Sequence, residues 1–368
     1  MLMIKATRDA ILRPLQTVAG IVERRHTLPI LANVLVRKQG DRVSFLATDI
    51  EIQVSTAASL GSGKDDAAIT VNARKLIDIL RSLPDTEVGI SLASKKLTIA
   101  AGKSRFQLQT LGPEEFPTVA PSETTGASLS MSQKQLKHLF AMVHFAMAQQ
   151  DIRYYLNGLL FVVDGQTVRV VATDGHRLAY CAAETGTEMG RQDVIIPRKT
   201  VTELQRLLDD ASEEPVSIDI AANQIRFRFG EVDLLSKLVE GKFPDYQRVI
   251  PQGYRKSIVL DRVTWGDALK RASILTSDKF KGVRFTLTQD ALKVQTTNAE
   301  QEEAVEELDV EYGGEPLDIG FNVTYLLDVL DNLKTESVTC EFGDANSSAL
   351  ISVPGDQGFK YVVMPMRI

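Results

Sequence analysis

Cysteine and histidine are scarce in this chain, with two cysteines and four histidines among 368 residues. Two cysteines, Cys181 and Cys340, cannot build a disulfide framework, and they fit a reducing cytosol. So few cysteines and histidines almost exclude a structural zinc site. No apolar run approaches the roughly 18–20 residues that span a bilayer, and charged residues come too early at the N-terminus for a signal peptide. The sequence therefore predicts a cytoplasmic protein without a membrane segment.

The short motifs of common enzyme classes are also missing. The sequence contains no GxGxxG, HExxH or GxSxG, so no motif supports dinucleotide binding, zinc proteolysis or serine hydrolysis. The string 61–64 resembles the end of a phosphate-binding loop. However, Ala58 replaces the required glycine, and Asp65 replaces the Ser or Thr that would hold magnesium. A flexible turn is the better interpretation, and we expect neither a cofactor nor a metal.

Composition is that of an ordinary globular protein, with 44% hydrophobic and 24% charged residues. A length of 368 residues favours two or three domains. The net charge is −6, from 42 basic and 48 acidic residues, and this balance alone argues against a nucleic-acid partner.

The chain contains an internal repeat. Segments 71–83, 196–208 and 321–333 each run from an apolar residue into a helical pattern ending in leucine, at offsets of 125 and 125. A second landmark lies upstream of these segments. It is Thr48-Asp49, then Thr173-Asp174, then Thr297-Asn298, at offsets of 125 and 124. Two landmarks with one period indicate three units, each long enough to hold its own core.

Linkers rich in Pro, Gly, Ser and Thr at 118–127 and 249–257 separate the units. The predicted domains are 1–125, 126–253 and 254–368. Each domain has a first helix, at 7–19, 131–147 or 261–275. It also has a second helix, in the segment of the first landmark, and hairpin-like strands. Asp164-Gly165 predicts one such hairpin turn. Short turns cannot make parallel crossovers, so the predicted class is α+β, with two helices packed on antiparallel sheets in every domain.

Charge is sorted by element. Five of the six predicted helical segments have a positive net charge, and the six together carry +7. Because the whole chain carries −6, the residues outside these segments carry −13. A solvated helix surface would explain one basic helix. Positive charge on five of the six helical segments, in a chain that is negative as a whole, indicates that charge is segregated. The helices would form a basic face that attracts a polyanion, and the rest of the surface would be acidic.

The most enzyme-like string is 173–177, where Asp174 and His176 follow a strand. A nucleotide- or phosphate-processing enzyme using these two residues is the alternative function. The other copies of the landmark hold Asp49 and Asn298 without a histidine, which favours a turn residue that bonds local backbone.

Four strings resemble the bacterial β sliding clamp family, the processivity subunits of DNA polymerase III. They are DIRYYLNGLLF (151–161), ATDGHRLA (172–179), KLVEGKFPDYQRV (237–249) and the ending YVVMPMRI (361–368). The resemblance implies a head-to-tail homodimer that closes a six-domain ring around duplex DNA, without base readout. It also implies a clamp loader, the replicative polymerase and other clamp-binding-motif proteins as partners. The acidic helix 321–333 leaves open whether that helix contacts DNA.

The resemblance also implies three sets of residues, by their numbers in this sequence. The DNA-binding set is Arg24, Gln150, Tyr154, Tyr155, Arg198 and Lys199. The peptide-binding pocket is Leu156, Thr173, Gly175, His176, Arg177, Leu178, Pro244, Arg248, Val249, Tyr325, Ser348, Val362, Met364, Pro365 and Met366. The dimer interface is Lys75, Arg105, Phe106, Leu108, Ile274, Leu275, Glu300, Glu302 and Glu303.

Each set has a simpler interpretation. Phe106 and Ile274 could be ordinary core residues, Tyr155 could pack half-buried on a sheet, and the C-terminal methionines could close the third domain's core. For the pocket, methionine is an adaptable liner where several partners must be accepted. On this hypothesis His176 and Arg177 supply polar contacts at the rim of an apolar floor, and Gly175 leaves room for a ligand's backbone.

Overall fold

The computed structural model describes residues 2–22, 28–122, 126–277 and 281–367. Within them the chain forms six α-helices and twenty-two strands, and every strand pair is antiparallel. The α+β class with antiparallel sheets is confirmed.

The helices are α1 (Arg8–Ala19), α2 (Ala73–Ser82), α3 (Gln133–Ala141), α4 (Arg198–Leu207), α5 (Arg262–Ser273) and α6 (Val323–Asn332). The strands are β1 (Leu2–Thr7), β2 (Asn33–Gln39), β3 (Arg42–Thr48), β4 (Ile52–Ser59), β5 (Ala67–Asn72), β6 (Glu87–Ala93), β7 (Lys96–Ala101), β8 (Ser104–Leu111), β9 (Ala127–Ser132), β10 (Gly158–Thr173), β11 (Arg177–Pro197), β12 (Pro215–Ile220), β13 (Gln224–Phe229), β14 (Val232–Lys237), β15 (Lys256–Asp261), β16 (Gly282–Thr288), β17 (Ala291–Thr297), β18 (Glu303–Asp309), β19 (Leu317–Asn322), β20 (Ser337–Phe342), β21 (Ala349–Val353) and β22 (Asp356–Val363).

The first landmark of the repeat becomes a strand that runs directly into a helix. α2, α4 and α6 start two residues into the predicted segments, because the first two residues of each segment end β5, β11 or β19. Side chains at the ends of the strands cap two of these helices. Asn72 accepts a hydrogen bond from the Lys75 amide at 2.9 Å, and Asn322 accepts one from the Thr324 amide at 2.9 Å.

Two expectations about local structure were wrong. The helix predicted over 131–147 ends at Ala141, and His144–Ala146 form a 3₁₀ turn. Phe140, Val143 and Ala146 are all fully buried, so the apolar spacing continues although the backbone changes. Asp164-Gly165 is not a hairpin turn either. β10 runs through it, and Gly165, at φ 61°, lies at shifts in the register with β11 that are typical of a bulge.

The chain divides into two compact units. Unit 1 contains residues 1–136 and 202–238, and its twelve strands form one sheet in the order β1-β6-β7-β8-β5-β2-β3-β4-β14-β13-β12-β9. The pairing of β4 with β14, for example Ser55 with Asp233, continues this sheet between strands of the first and second repeats. Hydrogen bonds between these strands explain why the two repeats do not separate at this point.

Unit 2 contains residues 137–201 and 239–368 and has two sheets. Their orders are β10-β11-β22-β21-β20-β15 and β18-β17-β16-β19. Its core includes Trp265, Phe285 and Phe321, whose neighbouring ring centroids lie 6.2 and 5.4 Å apart. β11 pairs with β22, for example Leu178 with Val362, which brings the predicted pocket residues of the second and third repeats into one sheet.

Candidate functional site

The turn between β10 and β11 is built by the Thr-Asp landmark. The Thr173 hydroxyl donates to the Arg177 carbonyl at 2.6 Å and accepts from the Gly175 amide at 3.1 Å. The Asp174 carboxylate accepts from the amides of His176 and Arg177 at 2.9 and 3.1 Å. Asp174 is therefore a turn residue, because its oxygens are used by local backbone and by the Arg177 guanidinium.

The first copy of the landmark folds in the same way. Thr48 donates to the Ile52 carbonyl at 2.9 Å, and Asp49 accepts from the amides of Glu51 and Ile52 at 2.9 and 2.8 Å. Ile50, at φ 75°, occupies the position that Gly175 fills at φ 90°. The repetition of this geometry without a histidine at the equivalent position argues against catalysis by Asp174 and His176.

Gly175 has two structural reasons to be glycine. Its φ of 90° lies in the left-handed region that disfavours other residues, and a Cβ there would come within 3.0 Å of the Arg153 guanidinium. Arg153 also donates to the Asp174 carbonyl at 3.2 Å and forms an ion pair with Asp151 at 2.8 Å. Hydrogen bonds from Arg153 hold the pKa of Asp151 at about 2. The space beside Gly175 is thus used by Arg153.

The apolar floor of the predicted pocket is formed by buried side chains from three elements. Leu156, Leu178 and Val362 are 1%, 3% and 1% exposed and belong to one cluster of buried residues. The other members are Ala148, Leu160, Val162, Val171, Ile195, Phe243, Tyr246 and Leu350. The β11–β22 pairing places Leu178 opposite Val362 and so positions two of these side chains.

The C-terminal segment lies along the side of this floor. The Met364 amide donates to the His176 carbonyl at 2.9 Å, and the Met366 amide donates to the Gly320 carbonyl at 2.8 Å. Met364 is 48% exposed, so it does not simply close a core. A cavity of about 450 Å³ opens beside the segment. Its lining includes four predicted pocket residues, Ser348, Met364, Pro365 and Met366.

Three predicted pocket residues follow Phe243 on an exposed stretch. Pro244 lines a separate cavity of about 430 Å³ together with Leu160 and Ile195 of the buried cluster. Val249 is 45% exposed. The Arg248 guanidinium pairs with Asp245 at 2.9 Å in an open position. The backbone thus places an accessible cation and an accessible apolar side chain near the floor.

Arg177 differs from the expected rim contact, because its side chain is only 9% exposed. Its guanidinium bonds Asp174, Asp328 and the Phe145 carbonyl, and lies 4.4 Å from the centre of the Tyr325 ring. Burial raises the pKa of Tyr361, whose neutral hydroxyl donates to the Tyr325 carbonyl at 2.8 Å. Sequence reasoning missed Asp328, Phe145 and Arg153 as supports of this site, and Asp328 lies 151 residues from Arg177 along the chain.

The predicted DNA contacts of unit 2 lie on and near one short loop. Gln150, at φ 56°, and Tyr154, 57% exposed, present their side chains to solvent. Tyr155 is half-buried against the apolar cluster, as its simpler interpretation held. Arg198 donates to the Met147 carbonyl at 3.0 Å and, like Lys199, is half-buried at the start of α4. Arg24 lies outside the described residues.

The predicted interface residues divide between two strands with unpaired edges. In unit 1, Arg105, Phe106 and Leu108 lie on β8, which pairs with β7 along 104–109 but with β5 only at Thr110 and Leu111. Arg105 is exposed, Phe106 and Leu108 are partly buried, and Lys75 is exposed on α2. Phe106 therefore keeps part of its side chain accessible in the isolated chain.

In unit 2, the corresponding edge strand is β18, which pairs only with β17 within the described residues. Glu303 begins β18, and Glu300 and Glu302 precede it, all exposed. Ile274, the residue that caps the C-terminus of α5, is 76% exposed, and Leu275 is half-exposed. An isoleucine this exposed is also not a core residue of the isolated chain.

The described residues hold no group of three or more His, Cys, Asp or Glu side chains arranged for a metal ion. None of the helices in the same residues is long and apolar enough to cross a membrane.

Three consecutive family models match the chain. They describe the DNA polymerase III beta subunit, as its N-terminal domain over residues 2–120, its central domain over 130–245 and its C-terminal domain over 247–367.

Relatives and solved structures agree with these matches. The chain is 48% identical over 364 residues to the beta sliding clamp of Pseudomonas putida and 42% identical over 362 residues to that of Escherichia coli K12, covering 98% of both chains in each case. A crystal structure of the Pseudomonas aeruginosa sliding clamp bound to griselimycin matches with a TM-score of 0.96, at 47% identity and 100% coverage of both chains. The Caulobacter crescentus clamp matches with a TM-score of 0.93 at 37% identity, again with 100% coverage of both.

Proposed function

Because the chain belongs to the DNA polymerase III β subunit family, whose members are beta sliding clamps, we propose that it is the sliding clamp of a bacterial replicative polymerase. It encircles duplex DNA and tethers the polymerase, and it is a non-catalytic processivity subunit. The observation that carries this function is the match of all three clamp domains, in order, to the whole chain. We further propose that the domain boundaries are 1–125, 126–253 and 254–368, and that the protein acts in the cytoplasm, where bacterial DNA is replicated.

Ring closure is proposed to use the two unpaired strand edges. β8 presents the edge of residues 104–109 and β18 presents the edge of residues 303–309. An unpaired edge is a template for a strand of another chain. Joining β8 of one protomer to β18 of the next is a heterologous contact, and two such contacts close a head-to-tail dimer. Exposed Lys75 on one side and the acidic run 300–303 on the other add charge complementarity.

DNA binding is proposed to rest on topology and on weak phosphate contacts. Arg24, Arg198 and Lys199 supply positive charge, while Gln150 and the tyrosine pair supply polar contacts. A clamp must slide, so its contacts should carry no base readout and should weaken as salt rises. The excess of basic residues on the helices fits this requirement.

Partner docking is proposed to use the apolar floor, the 173–177 turn and the C-terminal segment. Leu156, Leu178 and Val362 form a buried floor beneath the site, and the exposed Val249 and Met364 offer apolar surface that a peptide can cover. The half-exposed Met364 beside it is flexible enough to fit different partners. Such a site can serve the clamp loader, the polymerase and other proteins that carry a clamp-binding motif.

Retention on DNA tests the proposal. The protein is loaded onto nicked circular DNA by a clamp loader and then passed through a sizing column at high salt. A topological ring stays with circular DNA and is lost after the circle is cut at one site. Equal loss from circular and linear DNA would contradict encirclement. Catalytic turnover of nucleotide by the purified protein, removed by His176→Ala, would instead support the alternative enzyme function.

A further inference from the structure

Every nitrogen of the Arg177 guanidinium has an acceptor within the protein. Nε donates to Asp174 at 3.1 Å, one terminal nitrogen donates to Asp328 at 2.5 Å, and the other donates to the Phe145 carbonyl at 2.8 Å. With 9% of the side chain exposed, little of it can meet a ligand. A direct contact with a docked peptide would have to break one of these bonds.

The same guanidinium is stacked between aromatic rings. Its central carbon lies 4.4 Å from the centre of the Tyr325 ring and 5.8 Å from that of Phe145. The His176 ring stacks on Tyr325, with centroids 6.5 Å apart and planes at 21°. Arg177 therefore connects two side chains of α6, Tyr325 and Asp328, to the 173–177 turn.

We propose that Arg177 is a positioning residue, which holds α6 against the 173–177 turn and so fixes His176 and Tyr325 as one wall of the docking site. It does not contact the docked peptide. This inference rests on the docking function proposed above. A wall that is ordered before binding spares the peptide the cost of ordering those side chains, so its loss lowers affinity without removing any contact.

Two substitutions test this role from opposite ends of the same bond. Arg177→Lys keeps the charge but cannot make three planar hydrogen bonds and a ring stack together. Asp328→Asn leaves Arg177 in place and weakens its anchor on α6. We expect each to weaken the binding of a fluorescein-labelled synthetic peptide containing Gln, Leu and Phe by about tenfold, which is 1.4 kcal/mol. Fluorescence anisotropy with the full-length protein measures the dissociation constants.

A double-mutant cycle separates positioning from a general loss of structure. In a Tyr325→Ala background the wall is already gone, so Arg177→Lys should cost much less than tenfold. Additive losses would overturn the inference, because they would show that Arg177 acts independently of Tyr325. Arg228→Lys is the matched control, because Arg228 is an exposed arginine of unit 1 that pairs with Asp219 at 2.7 Å and lies outside the docking set, and we expect it to leave peptide binding and the Arg177–Tyr325 coupling unchanged.

The remaining outcomes are also decisive. Unchanged or tighter binding by Asp328→Asn, with strong loss in Arg177→Lys, would mean that Arg177 contacts the peptide directly. If Arg177→Lys does not fold, as judged by circular dichroism, the Asp328→Asn protein and its own cycle with Tyr325→Ala decide the question. Absence of binding by the unaltered protein would overturn the docking function itself, and this inference with it. If the unaltered protein binds the peptide but the losses from Arg177→Lys and Tyr325→Ala are additive, the docking function stands and only the positioning role of Arg177 is overturned.

Discussion

Replacing Ile274 and Leu275 by alanine should convert the proposed ring into folded monomers. Ile274 is 76% exposed in the isolated chain, so most of its side chain is free to be covered by a second copy. It follows α5 rather than lying in the core, and its loss should therefore leave the fold of unit 2 intact.

The size of the effect follows from the exposed area. Isoleucine to alanine removes three carbon groups, worth about 0.8 kcal/mol each when buried, so covering the exposed part of Ile274 contributes about 2 kcal/mol per interface. A head-to-tail dimer has two such interfaces, and the loss is about 4 kcal/mol per ring. That raises the dimer dissociation constant by about three orders of magnitude. The half-exposed Leu275 adds to this loss.

Sedimentation equilibrium over a range of protein concentrations measures the dissociation constant, and circular dichroism checks the fold. Val263→Ala is the matched control, because Val263 is an apolar residue of the same helix that is 52% exposed but lies outside the proposed interface. It should leave the dimer unchanged. A double variant that remains a dimer with the dissociation constant of the unaltered protein would refute the interface, and so would one that is unfolded.

Three further outcomes are expected. Arg24→Ala should reduce the salt slope of DNA binding by about 0.9, as for the loss of one phosphate contact, and an unchanged slope measured by filter binding would remove Arg24 from the DNA surface. Deleting residues 364–368 should abolish peptide binding in an anisotropy titration while the dimer persists, because the Met364 and Met366 amides fix this segment beside the floor; binding that survives would place the site elsewhere. His138 is exposed on α3, but the surrounding protein partly desolvates its ring and lowers its pKa below the ordinary 6.5, so the unfolded state binds the proton slightly more tightly and stability should fall slightly as pH drops below 6.5. Thermal midpoints at pH 7.5 and 5.5 should therefore differ less for His138→Gln than for the unaltered protein, and equal differences would contradict this.

The repeat could be predicted from sequence because its two landmarks are local. The turn at Thr48 and the turn at Thr173 are built by side chains that bond backbone two to four residues away. Helix caps such as Asn72 are equally local. Such signals are readable in a single sequence, and the antiparallel class followed from short connections.

The errors have equally physical causes. The helix was predicted too long because buried apolar residues continue at helical spacing through Val143 and Ala146, beyond its end. A 3₁₀ turn can bury side chains at the same spacing. Gly165 has the positive φ of a tight turn, but a bulge needs the same conformation. Arg177 was predicted at a rim because its acceptor on α6 lies 151 residues away, a pairing that local patterns do not contain.

The central claim is that DNA passes through a closed ring, and covalent closure tests it most directly. Lys75→Cys and Glu302→Cys introduce one exposed cysteine on each side of the proposed interface, while the native Cys181 and Cys340 are buried. The protein is loaded onto circular DNA, closed with a short bismaleimide and then denatured in detergent. The account predicts that the crosslinked dimer stays with the circle after denaturation and is released when the DNA is cut once. Crosslinked protein that leaves intact circles in detergent would contradict it.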